Sequence, residues 1–184
     1  MSEYQYVIFR AVDAPLNKKQ LTYAERQSSR AEVSRWSFEV DYHYGSFDGD
    51  VDGMLRRGYD VFLQYTNYGD RVIKIRLPHG LPVERQVWNH FIDGERVTWK
   101  KDNKGHAGIL TLNPFHEAGE LEEAWELETY LDSAILLREK LTSGDLRPLY
   151  VFWLCGADDD YNDPNETTEP PVRMLRGPRV DPHR

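Results

Sequence analysis

WSFEVDYHYGSFDGDVDGMLRRGYDVFLQYTNYGDRVIKIRLP, residues 36–78, places a strand, an aspartate-rich turn, a short helix and a hairpin in succession. From Trp36 to Tyr44 every second residue is apolar or aromatic: Trp36, Phe38, Val40, Tyr42 and Tyr44. Residues two apart share one face of a strand, so this run predicts a half-buried β-strand. Its other face carries Ser37, Glu39, Asp41 and His43, and Gly45 ends it. After Phe47, Asp50 is placed to cap a short helix in which Met54, Leu55, Tyr59 and Phe62 recur at helical spacing. Asp52 adds favourable charge at the positive end of that helix. FLQYT and RVIKIRLP then flank Asn67-Tyr68-Gly69-Asp70, and Ile73, Ile75 and Leu77 alternate with Lys74 and Arg76, which is the pattern of a hairpin.

Upstream, YQYVIFRAVD reads as a strand with apolar groups on both faces, the mark of a central position. Pro15 breaks it, and Asn17 caps a helix over residues 18–29 with Leu21 and Ala24 facing inward. Strand, helix and strand predict a β-α-β unit, whose crossover makes the two strands parallel if they share a sheet. Downstream, Val83, Val87, Trp88 and Phe91 mark a short helix. RVTWKK and GILTLN flank Asp102-Asn103-Lys104-Gly105 as a second hairpin. A helix of about twenty residues follows from Glu120, and a last one, LRPLYVFWLCGA, is apolar nearly all round. Such a helix is expected to be buried in the body or against a partner. The expectation is an α+β domain over residues 2–157, with a mixed sheet, a β-α-β start, two hairpins and C-terminal helices packed on the sheet. The Pro-rich segment 158–184, acidic and then basic, reads as a disordered tail.

Composition narrows the classes. The net charge is −8, with 29% charged and 40% hydrophobic residues among 184. Residues 1–116 hold 16 Lys/Arg against 15 Asp/Glu, so the acidity sits elsewhere. Residues 117–128 and 158–169 each contain six acids and no base. That distribution disfavours a broad nucleic-acid surface. No apolar run is long enough to span a bilayer, and the N-terminus lacks the pattern of a secretory signal, so no membrane association is expected. A single Cys155 suits a reducing cytoplasm.

Six short blocks, SEYQY at Ser2–Tyr6, DAPL at Asp13–Leu16, Ser37–Asp50, NYG at Asn67–Gly69, RLP at Arg76–Pro78 and SGDLRPLY at Ser143–Tyr150, together resemble a family of uncharacterised bacterial proteins. The blocks are scattered over residues 2–154. The chain departs from the pattern at Val51-Asp52-Gly53 and in its tail. The resemblance implies no activity.

Several residues invite chemistry. Asp48, Asp50 and Asp52 match the first half of a calcium-binding loop, but the position that should supply a bidentate glutamate is Tyr59. A turn with an N-cap accounts for the same residues. His43 with Asp41 and Asp48 could form a His–carboxylate pair for a hydrolase, yet no G-x-S-x-G elbow is present. Cys155 lies in an apolar run, where thiols are usually inert. His79, His90, His106 and His116 lack metal-ligand spacing. There is no P-loop, G-x-G-x-x-G, C-x-x-C or H-E-x-x-H, so no cofactor is expected. Lys74, Arg76, Lys100, Lys101 and Lys104 on the two hairpins, among many aromatics, are the alternative: a subunit that binds single-stranded nucleic acid. The leading expectation is a non-catalytic accessory or interaction protein of a bacterial cytoplasm. Its expected partner is a protein, and a basic one if it is attracted by the acid-rich segments that flank the last helix.

Overall fold

The computed structural model describes residues 4–113 and 126–157. In chain order the elements are β1 (Tyr4–Arg10), α1 (Lys18–Glu25), β2 (Glu32–Val33), β3 (Ser37–His43), α2 (Val51–Arg57), β4 (Val61–Thr66) and β5 (Arg71–Leu77). There follow α3 (Arg85–Trp88), a 3₁₀ turn (Asn89–Phe91), β6 (Val97–Lys101), β7 (Gly108–Leu112), α4 (Glu126–Thr142) and α5 (Arg147–Ala157). The strands form one sheet in the order β2-β3-β1-β4-β5-β7-β6. The class is α+β, as the patterning predicts.

β1 is a central strand, bonded to β3 on one side and β4 on the other. Val7, Ile8 and Phe9 are wholly buried, which accounts for apolar groups on both its faces. The parallel crossover expected between β1 and β3 is not formed. They run antiparallel, with Tyr4 opposite His43 and Arg10 opposite Ser37, and every other pairing is antiparallel too, so the sheet is not mixed. The reason is length. The eight residues of α1 reach about 12 Å, roughly half the span of the seven-residue β1. The helix alone therefore does not return the chain to the start of β1, and the loops on either side of it do not make up the distance. Instead Ala11 N–H donates to the Trp36 carbonyl and Leu16 N–H to that of Arg35, both at 2.8 Å, and the chain re-enters at the end it left.

Helices cover both faces. On one, Val7, Phe9, Phe38, Val40 and Phe62 lie under α1 and α2, with the Phe9 and Phe38 rings edge to face at 5.4 Å. Asn17 caps α1 through a reciprocal pair with Gln20. Asp50 caps α2 as its position predicts, accepting from Gly53 N–H at 2.8 Å and from the Tyr23 hydroxyl at 2.7 Å. Gly53 is required there, because a Cβ would sit 2.0 Å from the capping carboxylate. On the other face, Ile8, Val61, Leu63 and Tyr65 meet Leu127, Leu131 and Ala134 of α4. Farther along it, Ile75, Leu77, Leu110 and Leu112 pack with Trp88, Phe91, Leu141, Leu146 and Leu149.

α4 is fastened by a charge as well as by apolar contact. Arg138, 4% exposed, donates to Asp13 at 2.9 and 2.5 Å, to Asp60 at 3.2 Å and to the Arg76 carbonyl at 3.0 Å. The second Asp60 oxygen accepts from Val12 N–H at 2.7 Å and Asp13 N–H at 3.0 Å, so this buried carboxylate is fully occupied. α5 is not buried all round: Leu149 is enclosed, but Val151 and Leu154 face outward. Ahead of it, Asp145 accepts from the Arg147 backbone N–H and guanidinium. Among the described residues no helix is long and apolar enough to cross a membrane. The acid-rich stretch up to residue 125, His116, the tail from 158 and the Cys155 side chain lie outside the described residues.

Candidate functional site

The residues singled out around β3 do not assemble into one site. Asp41 and His43 share a strand face and approach at 3.3 Å, with side chains 56% and 66% exposed. The His43 ring leans on Tyr4 at 5.0 Å. Asp48 lies in a different depression, lined with Ser28, Arg30 and Tyr44, which neither Asp41 nor His43 borders. Among the described residues no hydroxyl is hydrogen-bonded to His43.

The three carboxylates of the DGDVDG run also diverge. Asp50 is occupied by its cap and by Tyr23; these hydrogen bonds hold its carboxyl below the usual range. Asp52 points across to the sheet, where Lys74 donates at 2.9 Å and Lys100 at 2.7 Å, with Arg56 at 3.8 Å. Among the described residues no group of three potential metal ligands gathers.

Asp102, in the β6–β7 turn, extends this network, accepting from Arg56 at 2.9 Å and Arg76 at 2.6 Å. Burial alone would raise both carboxyls. Hydrogen bonds from Lys100 and Lys74 to Asp52, and from Arg56 and Arg76 to Asp102, outweigh it and leave both lowered. Register places Lys74, Arg76 and Lys100 on one side of the sheet, so the basic face imagined from the hairpins exists in part. Two carboxylates are embedded in it. Lys101, one residue on, faces the opposite side.

That opposite side holds the most distinctive cleft. It lies between the loop after β5, helix α3 and the β6–β7 hairpin, encloses about 330 Å³, and is lined with His79, Arg85, Trp88, Trp99, Lys101 and His106 together with the apolar Leu81 and Val83. Two glycines make it. Gly80 adopts a left-handed φ of +74° and passes so near the His106 carbonyl that a Cβ would lie 2.5 Å from it, which locks the loop against the hairpin. Gly108, opposite Lys101 in the ladder, lets the Trp99 ring settle on the sheet, where a Cβ would meet ring atoms at 2.4, 2.6 and 2.8 Å. Trp99 is braced by the buried Trp88, their rings 5.4 Å apart at 76°. Among the described residues the lining has four basic side chains, two indoles and no acid. Across Lys101 a second depression adds Arg56, Lys100, Asn103 and Lys104, and with them the Asp102 carboxylate.

No family model, curated protein or solved structure matches this chain. The cleft is therefore read from its own chemistry. Sequence reasoning passed over it, because His79 and His106 belong to separate loops and meet only where β7 inserts between β5 and β6.

Proposed function

We propose that this protein is a non-catalytic accessory module that binds an anionic group in the cleft between the β5–α3 loop and the β6–β7 hairpin. The observation that carries this reading is the lining: Arg85, Lys101, His79 and His106 border one cleft beside two tryptophans, with no carboxylate among the described residues that line it. Arg and Lys bring fixed positive charge and charge-assisted hydrogen bonds, and a concave site partly removed from water strengthens both. The binding reading rests on the charged and aromatic groups of the lining, all of which can hold an anionic ligand in place. The single Cys155 suits a reducing compartment such as a bacterial cytoplasm.

Nucleic acid along the other sheet face is the weaker reading, since Asp52 and Asp102 already engage Lys74, Lys100, Arg56 and Arg76. A basic protein docking on the acid-rich segments 117–128 and 158–169 is a separate proposal that rests on their charge alone.

The test is a titration followed by tryptophan fluorescence, with inorganic phosphate and citrate as probes at low salt. Saturable binding is expected, weakened in 0.5 M salt and removed by Arg85→Glu/Lys101→Glu. Equal binding by that variant would sink the assignment of the cleft.

A further inference from the structure

We infer that the anionic group is the phosphate of a nucleotide, with the base against the Trp99 indole and the phosphate between Arg85 and Lys101. This rests on the anion-binding reading above and makes it specific. Trp99 and Lys101 are two residues apart on one side of β6, about 7 Å along the strand. That is the kind of separation a ribose bridges between a base and its 5′-phosphate. The indole is held in place from two sides. Gly108 supports it from the sheet and Trp88 braces it, yet Trp99 remains partly exposed and borders the cavity. A ring so held can stack on a planar base without first losing rotamer freedom.

The rest of the lining is consistent with the phosphate end. Arg85 supplies a forked donor and Lys101 a point charge, while His79 and His106 add ring N–H donors. The Leu81 and Val83 side chains add apolar contact for the base. A volume of about 330 Å³ is at the small end for ligand cavities and suits a single nucleotide. A simple carboxylate would use the cations but leave the indole wall uncovered.

The experiment compares AMP, adenosine, inorganic phosphate and citrate on the full chain by calorimetry and tryptophan fluorescence in 50 mM salt. AMP is expected to bind at least tenfold tighter than adenosine or phosphate and to quench tryptophan emission. Trp99→Leu should weaken AMP by roughly tenfold or more and leave phosphate unchanged, whereas Lys101→Gln should weaken both. The wild-type comparison needs no variant, so a folding defect in Trp99→Leu would not rescue the idea. AMP binding no tighter than phosphate or citrate would overturn the nucleotide assignment while the anion cleft stands. Failure of all four probes to bind would remove both readings. An eight-residue oligothymidylate binding more than a hundredfold tighter than TMP would replace the nucleotide with a nucleic-acid strand.

Discussion

Gly108→Ala isolates the contact on which the cleft is built. The glycine does not sit in the left-handed region, so alanine meets no backbone penalty and only the added methyl matters. In the present packing that methyl would lie 2.4 Å from the nearest Trp99 ring atom, against 3.4–4 Å for ordinary contact, so the indole must retreat by about 1 Å. It has little freedom to do so, because Trp88 meets it at 5.4 Å. Overpacking of this kind costs about 1–3 kcal/mol. Replacing glycine elsewhere in a chain stabilises by about 0.4–1 kcal/mol through the unfolded state. The two act in opposite directions, and the net is a loss of up to about 2.6 kcal/mol. At about 2–4 °C per kcal/mol for a chain of this size, the melting temperature should fall by up to about 10 °C. Thermal unfolding by far-UV circular dichroism measures this, and the near-UV tryptophan bands should change in the same variant. A higher melting temperature with unaltered near-UV bands would mean the entropy gain alone is operating, and the contact would not be what shapes the cleft.

The other expectations concern the frame around it. Arg138→Met leaves the Asp60 carboxylate, 6% exposed, without its cation and should cost about 3–5 kcal/mol in urea unfolding. Adding Asp60→Asn to that variant should recover part of the loss, whereas simple additivity within about 0.5 kcal/mol would show that the two groups do not interact. The folded carboxyls of Asp52 and Asp102 titrate below their ordinary value of 3.8, so their contribution is complete above it and disappears as pH falls through the lower folded values. Asp52→Asn/Asp102→Asn should accordingly flatten the stability profile between pH 5 and pH 2, and an unchanged slope there would refute the network. Asp50→Ala should cost about 0.5–2 kcal/mol through loss of the α2 cap, while Asp48→Asn stays within about 0.5 kcal/mol. Millimolar calcium should leave the melting curve of the wild type in place; a calcium-dependent rise abolished by Asp48→Asn would restore the loop reading.

What the sequence disclosed follows from the range of each signal. β3 and both hairpins were legible because alternation and turn residues are local: Phe38, Val40 and Tyr42 do face the α1–α2 side, and Gly69 has the left-handed φ of +116° that its turn needs. Asn17 and Asp50 were legible as caps for the same reason. The direction of β3 was not, because it depends on how far α1 carries the chain. β2, two residues long, has no period to detect. Polar residues of the short sequence blocks prove to be fold contacts: Asp13 on Arg138, Asn67 accepting from the Tyr4 N–H, and Asp145 on Arg147. The cleft escaped notice because none of its polar residues neighbours another in sequence. The pairing of Trp99 with Gly108's open surface is a property of the β6–β7 register, which no single strand reveals.

The bond between Arg138 and Asp13 spans 125 positions and sets a schedule for synthesis. When Leu112 leaves the ribosome all seven strands exist, but the sheet surface formed by Ile8, Val61, Leu63 and Tyr65 has no cover and Asp60 has no cation. Arg138 emerges 26 residues later (138 − 112), about 1–5 s at ordinary translation rates. For that interval the nascent chain presents an apolar sheet with a buried acid at its rim, a surface suited to a holding chaperone or to a neighbouring chain on the same message. α4 therefore covers this part of the sheet late, with only α5 still to follow, and a stop codon between residues 113 and 125 releases a sheet that has every strand but lacks both helices.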